Sequence, residues 1–363
     1  MGIVRIGNKL LIVGGLLWMV FSILSTAQTV PRVRIVGTVS DASNGQPLHF
    51  ANVFLSRTTI GAATDEEGRF DIVNVPLGTY ELVASMVGYG MWMKEIRLTE
   101  SADMVVHITL EPRPIQAPNI EVTAPYPHDW EKNLERFKEY LFGEGSFASK
   151  CSILNPEVLS FKVEGKTETL TATASAPLEI VNRALGYCLS AYLVSFRFRQ
   201  LSVGEYSLIS LFESLEPEDD WEERKWRENR LNAYLGSRRH FFTALYAGQR
   251  ELQKAGFTMY RLHSFYPEDE ETSLHPYETT VDSVLFRCVV PDEKRLFFPH
   301  FLKVVYEKLY TERTSWILLD HEKAVTIDRR GEPGDPDAIR TYGYWARMRM
   351  AEELPLDYEP YKH

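Results

Sequence analysis

Cations and aromatic rings gather between positions 221 and 239, where Trp221, Arg224, Lys225, Trp226, Arg227, Arg230, Arg238 and Arg239 follow one another closely. Guanidinium groups beside indole rings suit an acidic ligand or an anionic envelope polymer, so Trp221, Trp226, Arg227, Arg230, Arg238 and Arg239 are candidate partner-binding residues. Glu222, Glu223 and Glu228 lie among them, and a salt-bridged helical face is the competing reading. Three cysteines, Cys151, Cys188 and Cys288, offer thiol chemistry. In an oxidising compartment two could pair and leave one over, or all three could be buried as small apolar groups, and no flanking signature marks a nucleophile. Asp65, Glu67 and Gly68 offer two or three oxygens, short of the six to eight that calcium prefers, and read as an acidic turn. No Gly-x-Ser-x-Gly elbow, phosphate-binding loop or dinucleotide fingerprint is present, and no spacing singles out a carboxylate pair for glycoside hydrolysis.

The elements that must position these groups begin with short alternating segments from Arg34 to Leu110. Val33, Ile35, Gly37 and Val39 share one face of an extended chain, with Arg34, Thr38 and Ser40 on the other. Asp41 to Gly45, Thr64 to Gly68 and Pro76 to Gly78 supply turns, and segments through Ala51–Leu55, Phe70–Ile72, Tyr80–Met86, Met91–Leu98 and Met104–Leu110 bring the count to about seven strands. No helical pattern intervenes, so antiparallel pairing is expected. Met91-Trp92-Met93 reads as core in preference to an exposed contact edge.

The run GTVSDASNGQPLHFANVFL, then ATDEEGRFDIVNVPLGTYEL, then Gly88-Tyr89, resembles the carboxypeptidase regulatory-like domain, a small transthyretin-like Greek-key β-sandwich. In that family the domain sits beside metallocarboxypeptidases, and a similar copy precedes the plug of many TonB-dependent outer-membrane transporters of Gram-negative bacteria. The resemblance implies a fold for 31–111 and an exported setting, and no catalysis by the domain itself. Zinc carboxypeptidases resemble one another in a His-x-x-Glu pair with a distant third histidine. Such pairs occur at His128 and Glu131 and at His275 and Glu278, but with nine histidines about one arises by chance, and neither has a third ligand at the family's spacing. No metal and no other cofactor is expected.

Arg5 and Lys9 precede the apolar run Leu10–Leu24, and Ser25-Thr26-Ala27 places small residues where a signal peptidase reads, so 1–27 is expected to be a signal peptide. Its removal takes the net charge from -10 to -12, because two cations and no acid leave with it. An acidic exported chain is a poor nucleic-acid binder, and no later apolar run is long enough to span a membrane as a helix. Prolines at 112, 114, 118, 125 and 127 mark a stiff linker over 112–127.

Beyond it, Trp130, Leu134, Phe137 and Leu141 share one helical face up to Gly143. Strand-like segments at 158–163, 169–174, 178–182, 187–199 and 206–215 supply a sheet for that helix to cover. Two capped helices follow, opening at Asp219 or Asp220 and at Ser237, the second running on to Gly256, and strands are expected at 281–290, 295–306, 316–320, 324–328 and 339–350. The stretches NPEVLSF, ATASAPLEIVNRALGY and AYLGSRRHFFTAL are similar to an uncharacterised region that follows this sandwich in other exported bacterial proteins. The fold expectation is therefore a β-sandwich followed by a larger α+β domain, 128–353, with a mostly antiparallel sheet, and a tail, 354–363, that is loose or draped over the surface. The function expectation is a non-enzymatic protein of the periplasm or outer-membrane surface that binds an envelope protein or glycan, the alternative being an extracytoplasmic peptidase or glycosidase with its site in the second domain.

Overall fold

The computed structural model describes residues 32–99, 102–113, 129–165, 168–199, 203–262, 277–290, 292–308, 311–320 and 323–360. The expected signal peptide, most of the expected linker, His128 and His275 lie outside the described residues. Residues 31–363 form one compact unit.

Its first part is a seven-stranded sandwich. Strands β1 (Arg32–Asp41), β4 (Arg69–Pro76) and β7 (Met104–Leu110) make one sheet, and β2 (Asn52–Leu55), β3 (Gly61–Ala63), β5 (Gly78–Ser85) and β6 (Trp92–Leu98) make the other. Val33, Ile35, Val39, Val53, Leu55, Tyr80, Leu82 and Ala84 meet in the core, as the two-residue period requires. Pairing departs from the expectation at one place, because β7 runs parallel to β1. These are the first and last strands, and the whole sandwich serves as the connection that parallel neighbours need, so no crossover helix is required. Gly37 is where they approach closest: a Cβ there would stand 1.8 Å from the Val106 carbonyl oxygen.

The helix α1 (Trp130–Phe142) buries Trp130, Leu134, Phe137 and Leu141 and ends at Gly143, whose φ is 82°. It covers a six-stranded sheet of β8 (Cys151–Ile153), β9 (Leu159–Glu164), β10 (Thr169–Ala174), β11 (Leu178–Asn182), β12 (Tyr187–Arg199) and β13 (Val203–Ser214), all pairs antiparallel. Next, α2 (Asp220–Tyr234) is capped by Asp219, which accepts from the Glu222 N–H, and α3 (Arg238–Ala247) by Ser237, which accepts from the His240 N–H. The helix read through to Gly256 breaks at Gly248, φ 115°, leaving α4 (Gln249–Ala255) as a separate short piece.

The helices α3 and α4 cover a five-stranded antiparallel sheet. Its strands are β14 (Phe257–Arg261), β15 (Tyr277–Glu278), β18 (Phe301–Lys308), β19 (Thr311–Leu319) and β21 (Ile339–Gly343), in the order β15-β14-β18-β19-β21. A smaller sheet, β16 (Leu285–Arg287), β17 (Glu293–Leu296) and β20 (Val325–Asp328), shares the same core. The segment expected as one strand over 295–306 is two strands in different sheets, because Pro299 lacks an N–H and His300 turns into the left-handed region at φ 59°. The segment 339–350 likewise leaves strand geometry at Gly343, φ 72°, and coils into α5 (Tyr344–Arg347).

The sandwich does not stand apart from the rest. Phe54 and Val83 point away from the sandwich core and are buried against Ile209, with Tyr192 and Leu211 alongside. The β2–β3 hairpin enters between β13 and the C-terminal segment. Arg57, at φ 62°, donates its N–H to the Ser210 carbonyl at 2.6 Å and accepts from the Leu356 N–H at 2.8 Å, and the Phe212 N–H donates to Thr58 at 2.9 Å. The tail, expected to be loose or draped over the surface, is packed at its start: Leu354 and Leu356 are buried, and Asp357 accepts from the N–H and hydroxyl of Thr59.

Candidate functional site

The six basic and aromatic residues nominated from sequence divide among three places. Trp226 is 5 % exposed and donates its indole N–H to the Arg183 carbonyl at 2.9 Å, while its ring occupies the space beside Gly186. One turn on, Arg230 lies 4.1 Å over the Tyr187 ring and donates to the Leu185 and Gly186 carbonyls. Both side chains clamp the β11–β12 turn. Trp221, 65 % exposed, and Arg227, which is paired with Glu223 at 2.9 Å, face outward. Arg238 and Arg239 open α3 at the base of the sandwich. Arg239 donates to the carbonyls of Pro355, Leu356 and Tyr358, and burial lowers the pKa of both guanidinium groups. The α2–α3 surface is therefore salt-bridged outside and structural inside.

Around Arg239 the charges form a network. Arg57 reaches Glu332 at 3.0 Å and Glu353 at 3.1 Å, and Arg330 pairs with Asp328 at 2.7 Å while lying 4.3 Å over the Tyr80 ring and donating to the Thr79 carbonyl. Burial alone would raise the Glu332 carboxyl, but Arg57, Arg238, Arg239 and Arg330 outweigh it and hold the group below the usual glutamate range. Such a network fixes two parts of a protein in one orientation. A cleft beside it, lined by Gly78, Arg97, Asp292, Glu293, Asp328 and Arg329, has a volume of about 20 Å³, room for about one water molecule.

The three cysteines are free thiols. Cys151 faces the Phe147 carbonyl, and burial together with Glu352 pushes its pKa up to about 12, which suppresses the nucleophilic thiolate. Among the described residues no three of histidine, cysteine, aspartate and glutamate lie together as metal ligands would. Asp65 is engaged locally, by the Arg69 N–H and guanidinium. Met93 is largely exposed, Trp92 packs partly on the sandwich core, and Met91 packs on the junction cluster.

One surface escaped the sequence reading. The inner face of the five-stranded sheet sends Phe257, Met259, Leu302, Val304, Ile317 and Leu319 into the core under α3 and α4. On its outer face, strand register aligns Glu278, Tyr260, Lys303, Trp316 and Tyr342 in a single row across all five strands. Tyr260, Lys303 and Trp316 are half-buried and Tyr342 is 37 % exposed, and none of the four belongs to a buried core cluster. Phe301 packs edge-on against Tyr342, ring centres 5.5 Å apart, and Trp316 lies against Gly343, where a Cβ would meet its ring at 2.6 Å. No local pattern reveals such a row, since each strand contributes one residue. Knowledge of strand order is needed to see it.

The sandwich geometry agrees with what family comparison finds, since residues 35–122 match the model of the CarboxypepD_reg-like domain. This part of the chain is a CarboxypepD_reg-like domain. The match covers under a quarter of the chain. Among solved structures the chain is similar to a type II cohesin–X-dockerin complex chain from Acetivibrio cellulolyticus (22% identity, 22% of this chain and 58% of that one, TM-score 0.18). It is also similar to the pilus 2b backbone protein of group B streptococcus (17%, 22% and 41%, 0.20) and a DUF3823 family protein from Parabacteroides merdae (14%, 51% and 82%, 0.18). The chain thus spans less than two thirds of the first two, and no property is carried over from any of them. No curated protein matches. No helix among the described residues is long and apolar enough to cross a membrane.

Proposed function

We propose that this is a non-enzymatic cell-envelope protein, working outside the cytoplasm, in which the CarboxypepD_reg-like domain is a fixed scaffold and the α+β domain binds a protein or glycan partner. The observation that carries this reading is the aromatic and charged row on the outer face of the five-stranded sheet, a surface with ligand-facing chemistry and no part in the core. The junction supports the scaffold role, because Phe54, Arg57, Thr59 and Arg330 commit the sandwich to its neighbour. Residues 1–27 support export, and the native protein is expected to begin at Gln28 when its N-terminus is sequenced. The test is affinity capture from an envelope fraction with the full mature chain, run beside peptidase and glycosidase panels. A partner retained without turnover is the expected result, and metal-dependent cleavage of a peptide or glycoside would refute the reading.

A further inference from the structure

Resting on that binding role, we infer that the outer face of the five-stranded sheet binds an acidic polysaccharide, with sugar rings against Tyr260, Trp316 and Tyr342 and a sugar carboxylate at Lys303. The members of the row stand on neighbouring strands about 4.8 Å apart. Tyr260 and Trp316 are thus separated by the strand that carries Lys303, and Tyr342 follows directly beyond Trp316. The rings are held in place before any ligand arrives, Trp316 by the bare backbone of Gly343 and Tyr342 by Phe301. Lys303 carries its ammonium 5.8 Å from the centre of the Tyr260 ring. Side chains already ordered lose little freedom on binding, which favours a shallow site for a flexible polymer.

The mixture of groups selects the ligand class. The centre of a protein–protein interface is depleted in lysine and glutamate, yet here Lys303 sits mid-row and Thr258 and Thr314 flank Val305 in the next row. A sugar ring has an apolar C–H face that lies on an aromatic ring and polar edges that reach hydroxyl and charged groups, which is what this surface offers. The sign of the ligand follows from the cations. Arg340, one row over, is paired with Asp320 at 2.7 Å, whereas Lys303 has no carboxylate partner among the described residues. Glu278, exposed at the β15 edge, would repel an anion there and sets the acidic sugar toward the Lys303–Trp316 part of the row.

The experiment titrates the full mature chain with polygalacturonic acid and, in parallel, with neutral dextran, by calorimetry at two salt concentrations. Expected are binding of polygalacturonate in preference to dextran, weakened by salt, a loss of about tenfold in affinity for Trp316→Ala, and loss of the preference for the acidic polymer in Lys303→Gln. Tyr342→Ala, at a more exposed position, keeps the test decisive should Trp316→Ala fail to fold. Unchanged affinity in Lys303→Gln and Tyr342→Ala, or equal binding of both polymers, overturns the inference. Capture of a protein partner without polysaccharide binding also overturns it and leaves the binding role standing, whereas cleavage of the polymer removes that role as well.

Discussion

At the scale of single residues, two buried titratable groups carry opposite pH dependence. Glu352 is wedged beneath the chain at Gly145, where a Cβ would stand 1.5 Å from its Oε1, and burial pushes its pKa from 4.5 up to about 7. A carboxyl whose pKa is raised by folding favours the folded state fully below its unfolded value, and that contribution is lost as pH rises from about 4.5 through 7. His240 is the reverse case: buried against Tyr234 and Phe257, with Nδ1 accepting from the Gly236 N–H at 3.1 Å, its pKa is lowered to about 4. Its contribution is present above 6.5 and lost as pH falls toward 4. Glu352→Gln is therefore expected to raise stability at pH 8 by on the order of 2 kcal/mol and to leave it nearly unchanged at pH 4.5, read from urea midpoints at the two pH values. Equal shifts at both would mean that the carboxyl is not held neutral. In the same protein, NMR of the His240 ring should show no protonation until the pH approaches 4.

At the scale of elements, α2 shows where sequence reasoning stopped. Its cap, its length and its salt-bridged surface were all legible, because Asp219 and Glu222 stand at capping spacing and each outward cation has an acid within a turn. Which face turns inward was not. Trp226, Arg230 and Tyr234 recur every fourth position and form the buried stripe, but an arginine in the middle of it hides the apolar period. The two tryptophans consequently looked equivalent and are not. Trp226→Ala is expected to cost about 3–5 kcal/mol by opening a cavity against Gly186 and orphaning the Arg183 carbonyl, while Trp221→Ala should stay within about 0.5 kcal/mol. Denaturant unfolding of the two variants checks this, and similar losses would refute the inward assignment. The sandwich strands were legible for the converse reason: period, turn residues and core agree along most of Val33 to Leu110. Phe54 and Val83 were the exception, since alternation assigns them to solvent and only the neighbouring β13 makes them core.

At the scale of the whole molecule, the question is whether the CarboxypepD_reg-like domain unfolds by itself. Its junction is built from residues far apart in the chain, with Arg57 and Glu332 separated by 275 positions, and no local pattern announces such a pairing. The C-terminal segment is the common element. Leu354 and Leu356 are buried, Arg239 donates to three of its carbonyls, Glu353 takes Arg57, Asp357 takes Thr59, and Glu359 reaches Arg32 at 3.3 Å. Burying two leucines contributes about 1.5–3 kcal/mol each, and the contacts that Thr59 and Arg32 make with Asp357 and Glu359 are present only while the sandwich is docked. Removing residues 354–363 takes away this shared contact while leaving Arg57 with Glu332 and Phe54 with Ile209, so the sandwich should stay folded but loosen from its seat. Calorimetry of the full chain is expected to give one cooperative transition, and of the truncated chain two, the sandwich melting separately. Arg57→Ala should lower stability by about 3–5 kcal/mol, because Glu332 and Glu353 would lose the guanidinium they share at the junction. Restoring apolar packing without charge, in a triple change of Arg57→Met, Glu332→Gln and Glu353→Gln, should recover much of that loss. If the truncated chain still melts in one transition at the original temperature, the tail does not join the two parts, and the junction rests on the Phe54 cluster together with the Arg57 and Arg330 contacts.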